Sequence, residues 1–130
     1  MFGNLFKNKS NQSLLIVSII ILVIDQITKA IVVSRFDLFE SIPVVPFFNL
    51  TFVVNYGFAF GFLNSPSLNQ MIVSIVILSI IFYFLYLLIK TQDRIFKICL
   101  ILILSGALGN FFDRIFRGYV VDFIDIYVFN

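Results

Sequence analysis

The sequence predicts a membrane all-α bundle of three transmembrane helices with a small outward-facing β-sheet between the first and second. Three observations carry this. First, of 130 residues 61% are hydrophobic and 12% charged, against roughly 45–50% and about 25% in soluble domains, and the mean hydropathy is +1.08. Second, three apolar runs, 14–33, 71–89 and 95–116, each reach the length of about 20 residues that a ~30 Å hydrocarbon core requires. Third, the connection between the first two runs alternates apolar and polar residues with the period of a strand, not of a helix.

Taken in order, residues 1–13 (MFGNLFKNKSNQS) are polar and carry Lys7 and Lys9. The basic start and the apolar run after it resemble a cleavable signal peptide, but no small-x-small site follows, and Asp25 and Lys29 stand where one would be needed. The first span, 14–33, is interrupted by those two residues. Residues 34–70 hold Pro43, Pro46 and Pro66. Within them FNLTFVVN at 48–55 sets Phe48, Leu50, Phe52 and Val54 against Asn49, Thr51, Val53 and Asn55, a half-buried strand. Gly57 and Gly61 follow as bends or points of close backbone approach. The outer β region covers about 40–62 and is expected to lie on the membrane surface. The second span, 71–89, carries no charge; KTQDR at 90–94 is a polar turn; the third span, 95–116, ends in polar residues. Without a repeat or low-complexity tract, 1–130 reads as one domain.

Lysine and arginine orient the chain. Lys7 and Lys9 precede the first span and Lys90, Arg94 and Lys97 cluster between the second and third, which predicts a cytoplasmic N terminus. Residues 34–70 and 117–130 then face outward, with Asp113 and Asp122 at the outer membrane boundary.

Composition excludes several chemistries. There is no histidine and one cysteine, which removes most transition-metal sites, the Ser-His and Cys-His nucleophiles, and any disulfide within the chain. Cys99, in an apolar run, reads as a small packed hydrophobe. The 18 phenylalanines read as packing and lipid contact. No basic cluster of the kind that binds nucleic acid is present.

The polar residues that remain stand in costly places, since an ionisable side chain in hydrocarbon costs about 2.5–3.5 kcal/mol even on insertion scales. Asp25 and Lys29, at i,i+4, share a helix face with Ser18 and Thr28 nearby, either as a structural ion pair or as the border of a site. Gly106, Asn110, Asp113 and Arg117 form one face of the third helix, where small residues let a neighbouring helix approach. Arg114 is placed to hold a carboxylate in a bidentate pair, and the arginines at this helix end could equally tie it to the headgroups. Asp122 follows Gly118, an expected helix stop, among Val120, Val121, Phe123 and Ile124. An acid in such a setting suits general acid–base work; the competing reading is a solvated turn aspartate. Asp125 shares a face with Asp122 if the segment is a helix and points away from it if a strand.

Four stretches in order, VIDQITK at 23–29, FNLTFVVNYGFAFG at 48–61, GALGNFFDR at 106–114 and GYVVDFIDIY at 118–127, resemble the bacterial lipoprotein signal peptidases, signal peptidase II. Phe58, where the family usually has alanine, would narrow the pocket locally. The resemblance implies a multi-pass enzyme of the bacterial cytoplasmic (inner) membrane with its site at the outer face and four transmembrane helices. It implies an aspartic endopeptidase that removes signal peptides from diacylglyceryl-modified prolipoproteins, cutting before the lipidated cysteine. Asp122 is then a catalytic carboxylate, and Asp25, Lys29, Asn55, Gly57, Asn110, Asp113 and Arg114 line or support the site. No metal or cofactor is implied. The expected partners are prolipoproteins and membrane lipids, with no nucleic acid, and the protein works as a monomer. The family's second catalytic aspartate lies in an F-N-x-A-D segment opening the fourth helix, so the sequence to Asn130 is expected to be an incomplete copy, inactive as written. Asp113 and Asp125 are other acids to which the family pattern gives other roles. Two readings compete. One is a non-catalytic three-span membrane protein, a degenerate peptidase that binds a lipid or partner helix. The other is an ion-conducting or transport subunit using Asp25, Lys29 and Asp113, which the setting of Asp122 does not support.

Overall fold

The computed structural model describes residues 9–57 and 68–127, with side chains for 12–57 and 71–127. The elements are α1 (Lys9–Arg35), β1 (Ser41–Val45), β2 (Phe48–Asn55), α2 (Leu68–Lys90), α3 (Arg94–Phe116) and β3 (Val120–Ile126). The three apolar runs are helices long and apolar enough to span a membrane. α1 begins at Lys9, earlier than the hydropathy alone predicts. At 1.5 Å per residue it is roughly 40 Å long, so its ends pass the hydrocarbon core.

α3 packs against both α1 and α2. The packed seams are small, holding Val73, Ile81, Leu100 and Leu104, while Ile19, Ile31, Phe82 and Leu102 stay exposed. In lipid that exposure carries no hydrophobic cost, because the solvent is itself apolar. The polar turn at 91–93 closes with Asp93, whose Oδ1 accepts a hydrogen bond from the Phe96 backbone N–H at 2.7 Å and caps α3. At the other end Gly118 takes φ +80° and stops the helix, a conformation that a side chain would strain.

The sheet differs from expectation in one respect. Its order is β1-β2-β3, antiparallel throughout. The third strand therefore comes from beyond α3, and the sheet is not confined to the connection between the first two helices. β3 follows α3 after Gly118 and pairs with β2 from Asn55↔Val120 to Phe48↔Ile126. Between Val53↔Asp122 and Leu50↔Ile124 the register shifts, with Thr51 and Phe52 opposite Phe123 alone, a β-bulge. Phe52 and Val121 pack with Val32 of α1, and Phe36, Val54, Tyr119 and Phe123 surround them. This small core joins the sheet to the end of α1.

Both turns flanking β1 put phenylalanine where glycine is usual. Glu40 N–H donates to Asp37 O at 2.9 Å, closing a turn whose third residue, Phe39, has φ +68°. Val45 pairs with Phe48 across Pro46 and Phe47, and Phe47 has φ +72°. Positive φ at the third position is the mark of a type II turn, and a left-handed non-glycine residue costs about 1–2 kcal/mol.

Candidate active site

The site begins where α1 and α3 come closest. A Cβ added at Gly109 would collide with the Asp25 carboxylate, whereas one at Gly106 would meet nothing within 4 Å. The close approach expected of the small residues on α3 is thus supplied by Gly109, and Gly106 faces open space.

Across this seam runs a buried ionic network. Lys29 Nζ lies 3.1 Å from Asp25 Oδ2 and 2.9 Å from Asp113 Oδ2, and donates to Asn110 Oδ1 at 2.9 Å. Asp113 is fully buried. Its Oδ2 also accepts from the Val121 backbone N–H at 3.3 Å, which ties the start of β3 to α3. Its Oδ1 pairs with Arg117 and accepts from Gln26 Nε2 at 3.3 Å. Gln26 Nε2 also donates to Asp25 Oδ2 at 3.0 Å and Gly109 O at 3.2 Å, and its Oε1 accepts from Arg117 at 3.0 Å. A buried charge without a partner is strongly destabilising, and here every carboxylate and cation of the seam is paired.

The carboxylate of the seam is held by Arg117, not by Arg114 as expected. Arg117 holds the carboxylate and is not given over to headgroups. Arg114 instead donates to Gly57 O at 2.6 Å and Asn110 O at 3.2 Å. The α3 helix end thereby fixes the chain just beyond β2. Asn55 completes that corner. Its Oδ1 accepts from Gly57 N–H at 2.9 Å, and its Nδ2 donates to Asp122 Oδ2 at 3.0 Å.

Asp122 itself is exposed among the described residues. β3 is a strand, so Val121 turns inward and Asp122 turns out over an open cavity of about 590 Å³. Asp25, Lys29, Asn55, Asn110, Arg114 and Asp122 line it together. Of the expected supporting residues, Gly57 is buried beside it through its bond to Arg114, and Asp113 sits behind the wall. Asp125 is three residues on in a strand and so lies on the opposite face, accepting from Thr51 Oγ1 at 2.9 Å and Asn49 Nδ2 at 3.4 Å. Ser18 bonds Ser105 at 2.9 Å, and Thr28 bonds its own helix at Ile24 O at 2.7 Å. Phe58 lies outside the described residues. Gln26 was not anticipated; the only signal was its place next to Asp25.

Residues 17–130 match the family model for Signal peptidase (SPase) II. The chain belongs to the signal peptidase II family. It is 45% identical over 122 residues to a lipoprotein signal peptidase of Haemophilus influenzae, an alignment covering 92% of this chain and 71% of that relative. It is 43% identical to one of Pasteurella multocida, covering 93% and 75%. Another, of Halalkalibacterium halodurans, is 45% identical, covering 88% and 73%. A solved bacterial membrane enzyme superposes with a TM-score of 0.76 at 32% identity, covering 92% of this chain and 73% of that one. Membership of the signal peptidase II family makes the chain a membrane-embedded protease, and each of the four stretches that resembled the family contributes a described residue to the cavity wall, Asp25, Asn55, Asn110 and Asp122 among them.

Proposed function

We propose that this chain carries Asp122 as a catalytic carboxylate of an aspartic peptidase site that removes signal peptides from diacylglyceryl-modified bacterial prolipoproteins, cutting before the lipidated cysteine. The observation that carries the reading is Asp122, an exposed carboxylate fixed by Asn55 over a cavity that opens at one end of the helices. The reaction needs two acids. One carboxylate takes a proton from a water whose oxygen attacks the scissile carbonyl carbon. A protonated partner gives its proton to the carbonyl oxygen, and collapse of the tetrahedral intermediate breaks the C–N bond as the leaving amine is protonated. Two adjacent carboxylates share one proton because like charges that close do not both ionise. Asp122 is one member. Asp25, the other acid lining the cavity, is paired with Lys29, which suits it to holding the wall and not to carrying the shared proton. The other member of the pair is not assigned among the described residues.

The orientation belongs to the same proposal. Lys90, Arg94 and Lys97 stand at the end of the bundle away from Asp122, which supports a cytoplasmic N terminus and a cavity at the outer face, where an acylated cysteine would sit. Asn110 and Arg114 line the wall and Gly57 lies behind it, positioning the substrate backbone, while Asp113 holds Lys29 and the start of β3. The protein is expected to act as a monomer, with prolipoproteins and membrane lipids as its partners.

The test is cleavage of a purified diacylglyceryl-modified prolipoprotein in mixed micelles. The chain extended with the C-terminal remainder of one of its relatives is expected to cut and to lose cutting in Asp122→Asn. Cleavage that persists in Asp122→Asn would overturn the reading. Substrate binding by the extended chain without turnover would favour the non-catalytic reading.

A further inference from the structure

The net charge of the molecule sits at the end of the bundle away from the cavity. Nine basic and seven acidic residues give the chain a formal charge of +2. Residues 90–97 hold three of the bases, Lys90, Arg94 and Lys97, and one of the acids, Asp93. The rest of the chain is therefore balanced, and the whole positive excess belongs to the turn between α2 and α3. Asp93 is already engaged. Its Oδ1 accepts from Phe96 N–H at 2.7 Å, and its backbone O accepts from Lys97 N–H at 3.1 Å. Among the described residues the ion pairs join Asp25 and Asp113 to Lys29 and Arg117, and none reaches Lys90, Arg94 or Lys97.

The three cations are grouped by the fold as well as by the sequence. Lys90 ends α2 and Arg94 opens α3, with three residues between them. Both helices are long and apolar enough to cross a membrane, so this turn stands at a membrane boundary. Lys97 lies one turn into α3, at i,i+3,i+7 with Leu100 and Leu104, which are buried. It is itself half-buried, whereas Lys90 and Arg94 are exposed. Lys90 Nζ lies 5.7 Å from the centre of the Tyr86 ring, one turn back on α2, within reach of a cation–π contact. Apolar side chains flank the group and stay open: Leu85 on α2, and Ile95, Phe96 and Ile98 on α3.

Like charges brought this close repel one another, and an anion relieves all three. We propose that the α2–α3 turn is a binding site for one anionic phospholipid, its phosphate held among Lys90, Arg94 and Lys97 and its acyl chains laid along the open apolar flanks of α2 and α3. Basic pockets between membrane helices bind acidic headgroups in this way, and a guanidinium matches two phosphate oxygens at once. The apolar flanks decide between a lipid and a free anion, because only a lipid would use them. Simple snorkelling of the cations to water would leave each acting alone and would select no lipid. The site is remote from Asp122, and the proposal stands whether or not the chain is a peptidase and whichever leaflet the turn meets.

The absence of tryptophan makes the test direct. Phe96→Trp places a single tryptophan of the full chain beside the turn. The protein is reconstituted in vesicles of phosphatidylglycerol and phosphatidylcholine, with one lipid or the other brominated, and the two quenching curves give the preference between them. Phosphatidylglycerol is expected to be preferred at least about fivefold in roughly 0.1 M salt, the effect of one cation near an acidic surface. Phe82→Trp, exposed on α2 and about 12 Å along the helix from Lys90, is expected to show a preference near one. Adding Lys90→Gln or Arg94→Gln to Phe96→Trp should lower the preference at least about twofold. The two lie on different helices, so either suffices if the other does not fold. In about 1 M salt, where the Debye length is about 3 Å, a bound headgroup keeps a preference above about twofold. A preference that falls to one in that salt would assign the effect to diffuse attraction and overturn the proposal. So would equal preferences at Phe96→Trp and Phe82→Trp, or no response to either neutralising variant. Loss of the preference to inorganic phosphate at constant ionic strength would make the turn a free-anion site and overturn the lipid as its occupant.

Discussion

Asp113 and Asp122 are the same residue type nine positions apart, and they live opposite lives. Asp113 is fully buried and is held by Lys29, Arg117, Gln26 and the Val121 backbone. Asp122 is exposed over the cavity and accepts from Asn55. The difference comes from the element each sits on. The helix turns Asp113 into the α1–α3 seam, where only full pairing keeps an ion. The strand turns Asp122 away from Val121, which fills the core beneath the sheet. One acid binds the molecule together and the other faces the cavity, where the proposed chemistry would use it.

The comparison breaks most sharply by removing each acid. Asp113→Ala leaves Arg117 in the seam without its carboxylate and Lys29 with Asp25 alone, and frees the tie to β3. It is expected to cost about 3–5 kcal/mol, the range for breaking one side of a buried pair, read as loss of a monodisperse folded species in detergent. Asp122→Asn keeps shape and sits at an exposed position, so stability should hold within about 0.5 kcal/mol, while cleavage by the extended chain is lost. A destabilisation of Asp122→Asn comparable to that of Asp113→Ala would remove the distinction between the two acids.

The glycines sharpen it next. At Gly109 a methyl group displaces the Asp25 carboxylate and, with it, the bonds that carboxylate makes to Lys29 and Gln26. Gly109→Ala is expected to destabilise by about 1–3 kcal/mol, as overpacking does. Gly106→Ala meets nothing within 4 Å, and replacing a helical glycine should be neutral or stabilise by up to about 1 kcal/mol, while adding a methyl group to the cavity wall. Thermal unfolding of the two variants side by side separates seam from cavity.

The sequence was legible where one local rule decided the outcome. Three hydrophobic runs specified three helices, the alternation at 48–55 specified β2, and i,i+4 spacing specified the Asp25–Lys29 pair. It was less legible where the outcome depended on partners distant in the chain. β3 belongs to the sheet because β2 offers it a register, and VVDFIDI has no clean alternation to announce that. Asp113 and Arg117 are i,i+4 on one helix face, so spacing already pairs them; what spacing does not show is that Gly57 O takes Arg114. Asp122 looked desolvated from its neighbours in sequence, yet those neighbours alternate across a strand. Gln26 is a neutral amide beside an acid, and its role needs Gly109 O and Arg117 in place before it exists.

A smaller effect belongs to Asn55. Asn55→Ala loses the donor to Asp122 and the acceptor of Gly57 N–H. Both bonds lie toward solvent or at the cavity rim, so the loss is expected to be about 1 kcal/mol. If Asn55 positions Asp122, cleavage by the extended chain should fall much more than that stability change alone explains. A variant whose cleavage falls only in proportion to its unfolded fraction would demote Asn55 to a structural corner.

The smallest test lies deeper in the membrane. Ser18 and Ser105 bond across the α1–α3 seam at 2.9 Å, and Ser105 also donates to Ile101 O at 2.7 Å. Ser18→Ala therefore removes a bond without leaving Ser105 unsatisfied, and side-chain hydrogen bonds between membrane helices average about 0.6 kcal/mol. The variant should unfold almost as the parent does. A much larger loss would mean that the seam is held from its middle as well as from the ionic network at Asp113, and the division of labour between a binding acid and a reacting acid would no longer account for how α1 stays on α3.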